Sequence, residues 1–349
     1  SPDKIAKNEE KANELEKKRN YLLNQIPNII HNSVPLGKDS SENVEVKRIG
    51  AVKNLGFNAK THVELGEALD IIDFTRSAKV AGKGFYYLKG DLGLLNQALI
   101  RFALDFMRDK GYQYIEPPLM LRKDVLGAAL DVQEFKNTIY EIEGEDLALI
   151  GTSEYSMLGM HADETFTDKE LPKKYFSYTM CFRKEIGSHG INEKGLYRTH
   201  QFNKVEQFIF CKPEDSYKYY DELMNNSVEF YKLLEIPTRI LDICSGDMAT
   251  WKAKSSDLEF WRPTTKAYEE IGSLTNCTDF QARNLNIKVQ TKNNEKVFAH
   301  TLNNTLVATS RALIAILENN QEKDGSIKIP KVLQPYMNGQ KEIKKKMIK

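Results

Sequence analysis

Cysteine is scarce in this chain and poorly spaced for metal or disulfide chemistry. Its four residues, Cys181, Cys211, Cys244 and Cys277, lie far apart with no Cys-x-x-Cys pair, so neither a zinc cage nor a disulfide framework is expected. No apolar run is long enough to span a bilayer, and no charged-then-apolar leader opens the chain, which starts at Ser1-Pro2 just ahead of a helical pattern. A cytoplasmic protein with no membrane contact is the expectation. Phosphate-cradling glycine loops are missing too: there is no Gly-x-x-x-x-Gly-Lys and no Gly-x-Gly-x-x-Gly, which disfavours Walker-type and Rossmann-type nucleotide binding. There is no internal repeat and no excess of one charge. The 50 Lys and Arg against 49 Asp and Glu leave a formal net charge of +1, so any contact with nucleic acid must come from local patches. The basic clusters Lys17-Lys18-Arg19 and Lys341 with Lys344-Lys345-Lys346 lie near the termini, where short charge runs read first as solvated surface.

What is present is a chain of 349 residues, 41% of them hydrophobic, enough for one large domain and a smaller appendage. Residues 3–26 carry Ile5, Ala12, Leu15, Leu22 and Ile26 at heptad-like spacing before Pro27, which predicts an amphipathic helix interrupted on its seam by Arg19. A lone helix of this kind cannot bury its stripe and needs a partner. Pro35, Gly37, Asp39, Ser40 and Ser41 mark a linker, and the domain boundary is placed there. Beyond Gly50 the pattern predicts a helix over 94–108, a proline-interrupted strand over 112–120, strands over 176–183, 204–211 and 238–243, a helix over 213–234 and an apolar helix over 306–317 carrying Arg311. Strands joined by hairpins and excursions imply an α+β fold, an antiparallel sheet flanked by helices.

The densest chemistry lies in Cys181-Phe182-Arg183-Lys184-Glu185, then Gly187-Ser188-His189-Gly190 and Gly195, then Arg198-Thr199-His200-Gln201-Phe202-Asn203-Lys204-Val205-Glu206. Two arginines, two carboxylates and an aromatic ring flank a glycine-containing polar loop, as two strands joined by a long hairpin would present them to a phosphate-bearing ligand. A guanidinium clamps an anionic oxygen in a bidentate fork, and a ring stacks on a base. This reads as a nucleotide site.

The hairpin around Arg183-Lys184-Glu185 resembles the second signature motif of class II aminoacyl-tRNA synthetases. Gly111-Tyr112-Gln113-Tyr114-Ile115-Glu116-Pro117-Pro118-Leu119 is similar to the first motif, with Pro118 at the family's proline, and 303–311, ending in Arg311, to the third. Within the class, Phe85-Tyr86-Tyr87-Leu88-Lys89-Gly90, His200-Gln201-Phe202, 276–283 and Leu317-Glu318-Asn319 resemble the seryl-tRNA synthetases. The similarity runs from about His31 to the end. It implies three parts: 1–30 as the remnant of a coiled-coil, tRNA-binding arm, 31–49 as linker and 50–349 as the catalytic domain. It also implies a homodimer with the first motif at its interface.

The resemblance further implies roles by position. Arg183 would meet the α-phosphate and the amino acid carboxylate, Glu185 the adenine amino group and Arg198 the terminal phosphates, while Phe202 and Arg311 would sandwich the adenine. Glu270 and Ser273 match positions that carry magnesium, and hard oxygen ligands suit that ion. Thr152, Glu154, Glu206, Asn303 and Thr305 would form the serine pocket, with Glu206 reading the amino group or the hydroxyl. The implied partners are ATP, L-serine and tRNA(Ser). The sequence departs from the family at Gly272-Ser273-Leu274-Thr275-Asn276, where many relatives read Ser-Ser-Cys-Ser-Asn, and at Asn284, where a second basic residue is frequent. Two other readings stay open, a ligase that loads a small amino acid on a carrier protein and a non-catalytic RNA-binding paralogue. His189 and His200 read as structural or loop-positioning, Cys277 as a packing thiol, Trp251 and Trp261 as core packing, and Glu318 as a local cap or pair.

Overall fold

The computed structural model describes residues 2–23, 25–130, 136–185 and 194–345. At its centre lies an eight-stranded sheet made of β1 (Val44–Ile49), β2 (Gln113–Tyr114), β3 (Lys173–Phe182), β4 (Gln201–Cys211), β5 (Thr238–Asp242), β6 (Lys254–Arg262), β7 (Ala267–Thr278) and β8 (His300–Ala308). The order is β1-β5-β6-β7-β8-β4-β3-β2, antiparallel throughout except where β2 meets β3. The expected α+β architecture is therefore present.

One sheet face is covered by α2 (Gly90–Asp109), α3 (Ser216–Leu233) and α4 (Thr309–Asn319). On α2, Leu95, Leu99, Phe102 and Phe106 recur at helical spacing, and Phe102 stacks on Phe230 of α3 with ring centroids 5.1 Å apart. The period of two along the strands decides what the other face does. On β4, Val205 and Ile209 point into the helical core, and Gln207 donates to Leu223 O and Ser227 Oγ on α3. The alternate residues Phe202, Lys204 and Glu206 face a cavity instead. Farther along, Phe208 and Phe210 keep that second parity but join another apolar cluster with Tyr155, Leu158, Tyr175 and Leu285. The second face is thus partly core and partly cavity wall.

Several elements differ from the sequence expectation. The helix expected over 306–317 begins only at Thr309, because Leu306, Val307 and Ala308 finish β8. Leu306 and Val307 are both fully buried, and a short apolar run of that kind has no period to separate strand from helix. Strands β1, β6, β7 and β8 were not foreseen. In β6 and β7 the alternation is broken by Glu259, Glu269 and Glu270, whose charges are matched by Arg239, Arg262 and Arg311. β1 lies inside the stretch read as linker and pairs with β5 as the sheet edge. The N-terminal helix, α1 (Pro2–Leu23), buries no residue, so Ile5, Leu15 and Leu22 remain an uncovered stripe.

Candidate active site

The cavity, of about 320 Å³, opens on the sheet face away from the helices. Thr152, Glu154, Arg183, Glu185, Arg198, Phe202, Glu206, Glu270, Ser273, Asn303, Thr305 and Arg311 all line it. Residues separated by more than 150 positions are brought together because β7, β8 and β4 are adjacent and their polar positions share one face.

One end is small and dry. Glu206 and Thr305 are direct cross-strand partners, and Thr305 Oγ1 donates to Glu206 Oε2 at 3.1 Å. Lys204, two residues before Glu206, places its Nζ 2.8 Å from Glu206 Oε2 and donates to Thr152 Oγ1 at 2.6 Å. The Lys204 and Glu206 side chains are only 6% and 3% exposed. A buried ion pair survives only when each charge is matched and hydrogen-bonded, which this cluster achieves. Lys204 escaped the sequence reading, although its parity with Phe202 and Glu206 was the signal for it. Beside this cluster Glu154 opens the short helix Glu154–Gly159 and accepts from Gln281 Nε2 at 2.7 Å, while Gln281 Oε1 accepts from Thr301 Oγ1 at 2.7 Å. Glu154 is thereby aimed by a buried relay. Asn303, buried, completes this end of the lining.

The other end is cationic and more open. Arg183 donates from Nε to Gly151 O at 3.1 Å, and its guanidinium carbon lies 5.3 Å from the centre of the Phe202 ring. Arg198 pairs with Glu185 at 3.6 Å, and Glu185 sits in the left-handed region at φ 45°. Arg311, in the first turn of α4, pairs with Glu270 Oε2 at 3.1 Å and donates to Tyr197 O and Glu270 O, each at 3.2 Å. Its guanidinium lies 4.3 Å over the Tyr197 ring, so in this state Arg183, not Arg311, is the cation over Phe202. Burial alone would raise the Glu270 carboxyl, yet Arg311, with Lys252 and Arg183, outweighs it and keeps Glu270 ionised below the ordinary range.

Ser273 is the cross-strand partner of Asp257, to which its hydroxyl is hydrogen-bonded. Burial first, and the neighbouring Glu270 second, push Asp257 up to about 7 against Lys252 and Ser273. Asp257 was not anticipated. No group of three or more His, Cys, Asp or Glu suited to a metal occurs among the described residues. An ionised carboxylate and a hydroxyl on one wall are hard oxygen donors that fit a magnesium ion sharing its other positions with phosphate oxygens and water.

The remaining readings also find their places. His200 hydrogen-bonds Tyr140 OH at 2.8 Å and Arg183 O at 2.9 Å and stacks on Phe85 at 5.2 Å, a supporting role. His189 lies outside the described residues. Glu318 is wholly buried against His62, Arg262 and Thr264, and Cys277 is a buried thiol. Trp261 packs edge-on to Tyr268 as expected of sheet packing, whereas Trp251 lines the cavity, a correction with a local cause: it stands in the irregular turn before β6, not in a strand.

The family model for the tRNA synthetase class II core domain (G, H, P, S and T) matches residues 135–320. A serine–tRNA ligase from Methanospirillum hungatei is 49% identical over 97% of this chain and 80% of its own length, and one from Nitrosopumilus maritimus is 46% identical over 97% and 81%. The crystal structure of seryl-tRNA synthetase from Pyrococcus horikoshii complexed with ATP superposes with a TM-score of 0.93 at 42% identity, covering 98% of this chain and 81% of that one. A cytoplasmic serine–tRNA ligase from Naegleria fowleri in complex with AMP gives 0.91 at 38% identity, covering 98% and 82%. A chain that shares its fold over nearly its whole length and 38–49% of its residues with those enzymes belongs to the serine–tRNA ligase family.

Proposed function

We propose that this chain activates L-serine with ATP, forming seryl-adenylate and pyrophosphate, and transfers the seryl group to the 3′-terminal adenosine of tRNA(Ser). The observation that carries the reading is the pairing, in one cavity, of a buried Lys204–Glu206–Thr305 cluster with the open cationic end formed by Arg183, Arg198 and Arg311. The carrier-ligase and non-catalytic alternatives are not favoured, since relatives matched over 97% of the chain are serine–tRNA ligases.

The chemistry needs no covalent enzyme intermediate. The serine carboxylate attacks the α-phosphorus in line, and the enzyme must orient it and neutralise charge on the phosphoryl oxygens. Arg183, anchored through Nε, keeps its terminal nitrogens for the α-phosphate and the serine carboxylate. Phe202 offers a face for adenine, and Arg311 moves from Tyr197 toward it or holds phosphate from where it stands. Glu270 and Ser273 would hold magnesium, which supplies further charge neutralisation when bound. Glu206 and Thr305 bond the serine hydroxyl, and alanine binds more weakly because it cannot supply the hydroxyl that makes those hydrogen bonds in a buried site. Threonine must be excluded sterically, by the rigid walls of Thr152 and Asn303.

The assembly is proposed as a cytoplasmic homodimer in which α1 belongs to a helical arm that contacts tRNA. The test of the proposed function is amino-acid-dependent exchange of labelled pyrophosphate into ATP with serine, threonine, alanine and glycine, with and without Arg183→Ala. Exchange confined to serine and lost in the variant is expected. Exchange with another small amino acid, or none from folded protein, would refute it.

A further inference from the structure

Between the exposed helix α1 and the sheet, one residue stands out. Asn28 is partly buried while every other described residue from Gln25 to Ile30 is exposed. Its backbone N–H donates to Thr250 O at 2.7 Å, and its side-chain amide donates to Trp251 O at 3.0 Å, Cys277 O at 2.8 Å and Thr278 Oγ1 at 3.1 Å. Its Oδ1 accepts from Ile29 N and Thr278 Oγ1. Three residues on, His31 N donates to Ala253 O at 2.9 Å. The backbone of 250–253 is thus pinned from outside by 28–31 and, through Ala253 N to Asn276 O, by β7.

That backbone carries Trp251 and Lys252, both of which line the cavity. The Lys252 charge acts on Asp257 and Glu270 and also on the Cys277 thiol, which Glu154 reaches from the amino acid end. Lys252 therefore stands between the two ends. Among the described residues this short segment has no regular secondary structure to hold it, so its position depends on the bonds just named together with the turn bond from Lys252 N to Ala249 O at 3.1 Å.

We infer that Asn28 is a positioning residue for the active site: its amide clamps the Trp251–Lys252 wall, and serine affinity depends on the segment that follows α1. This rests on the serine-activating function proposed above. It couples the segment that follows α1 to the cavity wall, with four residues in the sequence between Leu23 and Asn28, so a partner that moves that segment acts on the wall.

Trp251 and Trp261 are the chain's two tryptophans, so Trp261→Phe leaves Trp251 as the sole reporter of the wall. In that background Asn28→Ala and Asn28→Asp are compared with the parent; the aspartate keeps the acceptor but loses the donations to Trp251 O and Cys277 O. Loss of two such bonds predicts a rise of about tenfold in serine KM in pyrophosphate exchange, with kcat within about threefold, and a diminished Trp251 emission change on adding serine and ATP. Asn43→Ala is the control. It removes a comparable tether, to Asp247 and Cys244, from a turn that lines no part of the cavity, and serine KM should stay within about twofold. Unchanged KM and emission in folded Asn28 variants, an equal shift in Asn43→Ala, or failure of both Asn28 variants to fold would overturn the assignment. If the parent itself shows no exchange with serine, the proposed function fails instead. The Trp251 response to ATP alone then decides, its loss in Asn28→Ala supporting the clamp and its retention refuting it.

Discussion

The two ends of the cavity are built on opposite principles. At the buried end, Lys204 and Glu206 are 6% and 3% exposed and their charges are matched inside the protein. At the open end, Arg198 is 49% exposed, Glu270 41% and Arg311 19%, and the guanidinium groups rest against Tyr197, Glu270 and Glu185. The difference is physical. A small ligand distinguished by one hydroxyl requires a site whose hydrogen-bonding geometry is fixed before it arrives. A large polyanion brings enough charge to reorganise an exposed arginine such as Arg198 when it binds.

The sharpest way to break the comparison is to unpair the buried end. Glu206→Ala strands the Lys204 ammonium and should cost about 3–5 kcal/mol of stability in urea titration, whereas Lys204→Met with Glu206→Ala should recover most of that stability without restoring serine activation. Thr305→Val keeps the shape but removes the donor to Glu206. It should raise serine KM about tenfold and leave any exchange with alanine almost unaltered, narrowing the discrimination between the two.

A pH-dependent effect tests the support behind the open end. His62 accepts from Leu196 N, at the exit of the loop that carries Arg198, and donates through Nδ1 to Glu318 at 3.1 Å. Burial depresses His62 below its ordinary value of 6.5 despite Glu318. For Glu318, burial raises the carboxyl, but His62, Arg262 and Thr264 outweigh it and the net shift is below 4.5. In both cases the unfolded chain binds the proton more readily, so stability falls as pH drops, beginning near 6.5 for His62 and steepening below 4.5 for Glu318. Thermal melts of His62→Gln should lack the upper limb. The smallest effect belongs to Arg198→Ala. Being half exposed and paired at 3.6 Å, it should change stability by no more than about 0.5 kcal/mol and raise ATP KM by less than about tenfold.

These regions also differ in how legible they were in the sequence. The open end was readable because its residues crowd into one stretch, with Arg183, Arg198 and Phe202 within twenty positions. Glu270 and Ser273 came only through family resemblance, since carboxylates in β7 masked the strand that carries them. Lys204 was missed because a lysine between Phe202 and Glu206 reads as surface until the strand parity is taken literally and its partners Thr152 and Glu206 are seen to enclose it. Asn28 and Asp257 had no local signal. Their roles exist only through contacts made across the fold, to 250–253 and to Ser273.

The most direct measurement is a crystal structure with a non-hydrolysable sulfamoyl analogue of seryl-adenylate. The account predicts the serine hydroxyl within hydrogen-bonding distance of Glu206 and Thr305, adenine on Phe202, and Lys204 unmoved while Arg311 leaves Tyr197 or stays on phosphate. A ligand whose amino acid moiety lies at the arginine-rich end, or a Lys204–Glu206 pair broken on binding, would contradict it.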